Sequence, residues 1–192
     1  MKKAIICHGC SPTKDYQLQQ DLPSCAKNWL PWLQQKFLMG GVVCQTPAFP
    51  NTWIPDRDYN TDSEILSQFN IDNDTSLIGY SLGAGLLLNY LSEHPEIKVK
   101  HLVLVAPGLD IDGKVVKNYK TNLDPKLFER VGKIDLLYSE NDSNIITQSI
   151  KLILETYPNI NLHNCGPMGH FQESDMKTKE FPKLWEVCKS EI

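Results

Sequence analysis

No apolar run in these 192 residues approaches the ~20 that a membrane-spanning helix needs. The opening Met1-Lys2-Lys3-Ala4-Ile5-Ile6-Cys7 is cut short by His8-Gly9, well before the ~7–15 apolar residues of a secretory core. Neither a membrane protein nor an exported one is expected, so the expected setting is cytoplasmic. Basic blocks are lacking too: 19 Lys and Arg against 23 Asp and Glu give a net charge of −4, which leaves nucleic acid no electrostatic footprint. There is no repeat, no low-complexity segment and no linker, and residues 1–192 read as a single domain able to bury a sizeable core. Cysteine is sparse, with six scattered residues expected as free thiols in a reducing compartment. Only Cys7-His8-Gly9-Cys10 has C-x-x-C spacing, and a zinc site needs a second ligand pair that the chain does not have. No metal is therefore expected. A redox pair would need Cys7 exposed, whereas it falls at the last inward position of an apolar strand.

What the chain does have is alternation. Short apolar runs at Ala4–Cys7, Val42–Gln45, Ser76–Tyr80, His101–Ala106, Ile134–Tyr138 and Asn161–His163 read as strands, most of them covered on both faces. Between them, helices are expected at Ser24–Met39, from the Thr61-Asp62-Ser63-Glu64 capping box to Phe69, at Leu82–His94, Ile145–Tyr157 and Phe181–Lys189. This order implies a three-layer α/β/α sandwich with a parallel sheet and right-handed crossovers. The irregular stretches Ser11–Pro23, Thr46–Asn60, Pro107–Pro125 and Cys165–Ser174 all follow strands, so they gather at the carboxyl edge, where such folds bind ligands.

One pentapeptide concentrates the chemistry. Gly79-Tyr80-Ser81-Leu82-Gly83 lies between the apolar Ser76-Leu77-Ile78 and the helix-like Ala84–Leu91. A strand turning sharply into a helix at Ser81 lifts its hydroxyl above the sheet at the positive end of the helix. Glycines flank it because Cβ atoms there would strike the turn and the adjacent strand. Serine becomes a nucleophile only when a base takes its proton and a third group orients that base. Of the five histidines, His101 and His163 lie in or beside strands, His94 ends a helix and His8 sits at the first strand's exit. That leaves His170, in the Gly-rich loop after the last strand. For the acid, the turn after Ile134–Tyr138 offers Asp142, with Glu140 second and Asp110 or Asp112 third. Two backbone N–H groups must receive the oxyanion, and Leu82 and Cys10 are the candidates. Phe49, Trp53, Leu109 and Met168 fall on carboxyl-edge loops and are candidate walls of an apolar acyl pocket.

These residues resemble the small α/β-hydrolases related to retinoblastoma-binding protein 9 and their bacterial relatives. The resemblance is carried by His8-Gly9, Trp29-Leu30-Pro31-Trp32-Leu33, Pro47–Pro50, Gly79–Gly83, Asn141-Asp142 and Gly169-His170-Phe171, which together span most of the chain. It implies an α/β-hydrolase fold with a six-stranded sheet in the order 2-1-3-4-5-6. It also implies Ser81 at the topological switch point and Ser81, Asp142 and His170 as the triad. Two features depart from the family: the Ser11–Pro23 loop is longer, and the acid turn reads Asn-Asp-Ser where relatives often have Asp-Asp-Pro. Pro107–Pro125 is too short for a cap domain. The expected function is cleavage of small acyl esters through an acyl-enzyme on Ser81, with no cofactor. A second class of reading is a hydrolase-shaped protein-binding module with a vestigial triad, and the third is a thioredoxin-like oxidoreductase at Cys7 and Cys10.

Overall fold

A computed structural model describes residues 1–190. Six strands form the sheet: β1 (Lys3–Cys7), β2 (Val43–Gln45), β3 (Thr75–Tyr80), β4 (Val99–Val105), β5 (Val131–Tyr138) and β6 (Asn161–Asn164). All neighbours pair in parallel, in the order β2-β1-β3-β4-β5-β6. The chain leaves β1 toward one edge and returns to β3 on the other side, so the switch point opens between the carboxyl ends of β1 and β3. Among the described residues no cap domain intervenes. Every residue of β3 is buried, as expected for the centre of a sheet covered on both faces.

Among the described residues seven α-helices complete the fold: α1 (Lys14–Leu18), α2 (Leu30–Met39), α3 (Tyr59–Ser67), α4 (Leu82–Glu93), α5 (Asn144–Thr156), α6 (Glu173–Met176) and α7 (Pro182–Lys189). On one face Leu66 of α3, Leu86 to Leu88 of α4 and Ile153 of α5 close over Ile5, Leu77, Leu102 and Leu136. On the other, Leu30, Leu33 and Phe37 of α2 join Leu184 and Cys188 of α7 over Ile6, Ile78, Val103 and Leu137. The alternation of odd and even strand residues between these clusters follows from the period-2 geometry of strands.

Three helical expectations are corrected. The segment expected as one helix from Ser24 begins as a short 3-10 turn, Ser24–Ala26, and α2 starts only at Leu30, because Asn28 takes a positive φ of 53°. The helix attributed to a Thr61 capping box starts earlier, at Tyr59, where Asp58 accepts from the Asn60 N–H at 2.9 Å. Inside the stretch expected to be irregular, Thr13 caps α1 through the Tyr16 N–H at 3.1 Å.

A polar cluster sits within the second face. Asp135 of β5 is fully buried and bonds His101 Nε2 at 2.5 Å, His163 Nε2 at 2.6 Å and Lys133 Nζ at 3.1 Å. Burial pushes its carboxyl up, but the hydrogen bonds from His101, His163 and Lys133 outweigh that and hold it down at about 2. Removing one member of a buried ionic group strands the others without partners. Asp135→Ala is therefore expected to cost about 3–5 kcal/mol, read as a lowered urea midpoint.

Candidate active site

Strand β3 passes into α4 through Ser81, whose backbone lies at φ 55°, ψ −126°. This strained conformation persists because its surroundings fix it from several sides. The Ser81 N–H donates to the Val105 carbonyl at 2.9 Å, and the Ser81 carbonyl accepts from the N–H groups of Ala84 and Gly108, each at 3.0 Å. Glycine at 79 and 83 is compulsory. A Cβ at position 79 would lie 2.4 Å from Ala84 Cα, and one at position 83 would lie 2.3 Å from the Cys7 carbonyl oxygen. The elbow thus packs directly onto the end of β1.

The structure brings Ser81, His170 and Asp142 into one line. His170 Nε2 stands 3.0 Å from Ser81 Oγ, and His170 Nδ1 stands 2.9 and 3.1 Å from the two Asp142 oxygens. Asp142 is almost fully enclosed and also accepts from the Ser143 N–H at 2.6 Å. The other carboxylates point elsewhere. Glu140 accepts from Asn164 Nδ2 at 2.8 Å, Asp110 receives the N–H groups of Lys114, Val115 and Val116, and exposed Asp112 lies beside Lys114.

The loop carrying His170 is anchored by contacts from Tyr80, Asn141 and Asp175, to which the sequence reading assigned no such role. Tyr80 OH donates to the His170 carbonyl at 2.5 Å, and Asp175 accepts from the His170 N–H at 2.9 Å. Asn141 Oδ1 accepts from both the Gly169 N–H and Ser139 Oγ, each at 2.8 Å, stitching the acid turn to the histidine loop. Asn141 adjoins the acid, and Asp175 lies five residues beyond His170, but neither shows a periodic signal.

At the exit of β1, a Cβ on Gly9 would come within 2.8 Å of Ser81 Cβ, so this loop lies against the serine. Cys10 follows immediately, and Leu82 is the first residue of α4, whose N–H has no acceptor within its own helix. His8 secures the loop from beneath. Its Nδ1–H donates to the Gly9 carbonyl at 2.7 Å while Nε2 accepts the Phe49 N–H at 3.2 Å, so the neutral ring satisfies both contacts. Burial, aided by the Arg57 charge, pushes its pKa from the ordinary 6.5 down to about 3.

The folded His8 refuses a proton that the unfolded chain takes up, so stability present above pH 6.5 is lost as pH falls toward about 3. Asp135 adds its own loss only below 3.8, toward about 2. Between pH 6.5 and 4 the urea midpoint is expected to fall in the wild type and to fall less in His8→Gln, whose amide can replace both bonds. Parallel midpoint curves for the two proteins would contradict this assignment.

Cys7 and Cys10 do not form a reactive pair. Both are free, and burial pushes both thiols up, Cys7 to about 12. Such thiols do not supply the thiolate that redox exchange needs.

The cavity beside Ser81 measures about 730 Å³ and reaches from Gly9, Cys10 and Tyr16 to His170 and Glu173. None of the four expected acyl-pocket residues lines it. Phe49 is buried against His8 and the Arg57 guanidinium, and Leu109 belongs to the core, its N–H donating to Ser149 Oγ. Trp53 bonds Asp56 and lies under Lys14, and Met168 packs on the second core cluster. These loop side chains serve packing. Arg57 itself forms a nearly inaccessible ion pair with Asp62 at 2.6 Å, which fixes the floor under Phe49.

Fold and site together define an α/β-hydrolase architecture. Along the sequence, YdeN of Bacillus subtilis strain 168, named as an inferred hydrolase, is 24% identical over 172 residues, 87% of this chain and 90% of that protein. The crystal structure of the B. subtilis ydeN gene product superposes with a TM-score of 0.78 at 19% identity, covering 100% of this chain and 98% of that one. A lidless α/β serine hydrolase from Xanthomonas campestris superposes at TM-score 0.62 and 14% identity, covering 98% of this chain and 79% of that one. Est1E from Butyrivibrio proteoclasticus, with ferulic acid bound, does so at 0.64 and 14%, covering 99% and 87%. No family model matches the chain.

Proposed function

We propose that the protein is a serine hydrolase that cleaves small carboxylic esters through an acyl-enzyme on Ser81. The observation that carries this reading is the unbroken relay from Ser81 Oγ to His170 Nε2 at 3.0 Å and from His170 Nδ1 to Asp142 at 2.9 Å. Ser81 attacks the ester carbonyl as His170 takes its proton, and Asp142 stabilises the imidazolium. The Leu82 and Cys10 N–H groups receive the negative oxygen of the tetrahedral intermediate. Collapse expels the alcohol, which takes the proton from His170. Water then attacks the acyl-enzyme with His170 as base, releasing the acid and restoring Ser81.

The lidless relative from X. campestris and the hydrolase name of YdeN support this assignment. The closer kinship with the retinoblastoma-binding protein 9 group rests on the motifs alone and forms part of the proposal. So does a cytoplasmic setting, supported by six unpaired thiols. No described helix is long and apolar enough to cross a membrane.

The test is turnover of p-nitrophenyl acetate together with labelling by a fluorophosphonate, and both are expected. A wild-type protein that does neither, while capturing a specific protein partner, would replace this reading with that of a binding module.

A further inference from the structure

The cavity at Ser81 is not the greasy slot that a fatty acyl chain would fill. Its charged walls are Lys27, Lys177 and Lys179 against Asp21 and Glu173. Most of these charges are engaged or turned to solvent. Lys177 Nζ donates to the Ser174 carbonyl at 2.7 Å, Lys179 pairs with Glu173 at 3.5 Å, and Asp21 is exposed.

Lys27 differs. It is half-buried, and among the described residues its ammonium reaches only Gln17 Oε1, at 3.5 Å. That oxygen already accepts from Ser11 Oγ at 2.5 Å and Ser24 Oγ at 3.1 Å. An amide oxygen has two lone pairs, so the two hydroxyls use them and the ammonium keeps nearly its full donor capacity. Gln17 is itself held to the loop that abuts Ser81, because Ser11 directly follows Cys10 and the Ser11 N–H donates to the Thr52 carbonyl at 2.6 Å. The ammonium therefore stands beside that loop without being consumed by it. Partial desolvation lowers the Lys27 pKa, as expected for an ammonium that loses some of its water without receiving a counter-ion.

Resting on the nucleophile reading above, we propose that Lys27 recognises a carboxylate carried by the substrate, so that the enzyme acts on small esters bearing a second, ionised acid group. The cavity of about 730 Å³ has room for such a molecule beside the scissile bond. A charge-assisted bond to an otherwise unpaired ammonium discriminates strongly against a neutral ester of the same shape.

Two matched pairs of esters test this. The first pair is 4-acetoxybenzoate and its methyl ester, which place or remove the charge on the leaving group. The second is the phenyl monoesters of succinate and butyrate, which do so on the acyl group. The wild type is expected to prefer the charged member of at least one pair by about tenfold in kcat/KM, through KM, with the preference shrinking at high salt. Lys27→Met should collapse that ratio to near one, and Lys27→Arg should keep it.

Calorimetric binding of 4-hydroxybenzoate and of succinate separates this inference from the nucleophile assignment. A wild type that binds either acid through Lys27 but is not labelled by fluorophosphonate would retain the anion site and discard the nucleophile. Equal handling of both members of both pairs, or a preference that survives in Lys27→Met, would overturn the inference.

Discussion

Ser81→Ala is expected to lower kcat for a short-chain aryl ester by on the order of 10⁴-fold or more, while KM and thermal stability change little. Only the oxygen proposed to attack is lost. The elbow itself is held by backbone contacts, from the Ser81 N–H to the Val105 carbonyl and from Ala84 and Gly108 to the Ser81 carbonyl, and alanine retains all three. Replacing a hydroxymethyl by a methyl group at a positive-φ position already occupied by a residue with Cβ adds no new strain. Residual activity should match that of a template that still offers the Leu82 and Cys10 donors. A variant retaining a tenth of wild-type kcat would show that another group makes the bond.

The second large effect concerns the acid. Asp142→Asn is expected to reduce kcat by on the order of 10⁴-fold. The carboxylate accepts from His170 Nδ1 with both oxygens, at 2.9 and 3.1 Å, which in the proposed mechanism keeps the other nitrogen free to take the serine proton. An asparagine presents N–H toward Nδ1 and favours the opposite tautomer. Its oxygen still accepts the Ser143 N–H, so the turn is expected to remain folded. Glu140→Gln is the matched control, since Glu140 Oε1 bonds Asn164 rather than the histidine. Its activity should stay within about twofold, as for surface substitutions generally. A large loss in Glu140→Gln with Asp142→Asn near normal would exchange the two roles.

The central strands were legible because they are apolar on both faces, whereas the order of the six strands came from the family resemblance, since the edge strands β2 and β6 are largely exposed. The elbow was legible because two glycines are forced by backbone approach, and that constraint appears directly in the sequence. The short helices α1 and α6 were not, since neither buries a residue and so neither carries an apolar period. The acyl-pocket expectation failed for a related reason. An aromatic residue on a loop is written the same way whether it faces a ligand or roofs an ion pair, and Phe49 does the latter, over Arg57 and His8. The polar cavity depends on Gln17, Ser24 and Lys27 meeting Ser11, and no spacing rule announces that convergence.

The most direct measurement is peptide mapping by mass spectrometry after treatment with a fluorophosphonate. One adduct is expected, on the peptide carrying Gly79 to Gly83 and localised to Ser81. The adduct is expected to be lost when His170 is replaced by alanine. An active enzyme whose adduct forms on a different residue, with the Ser81 peptide unmodified, would contradict the assignment of Ser81 as nucleophile.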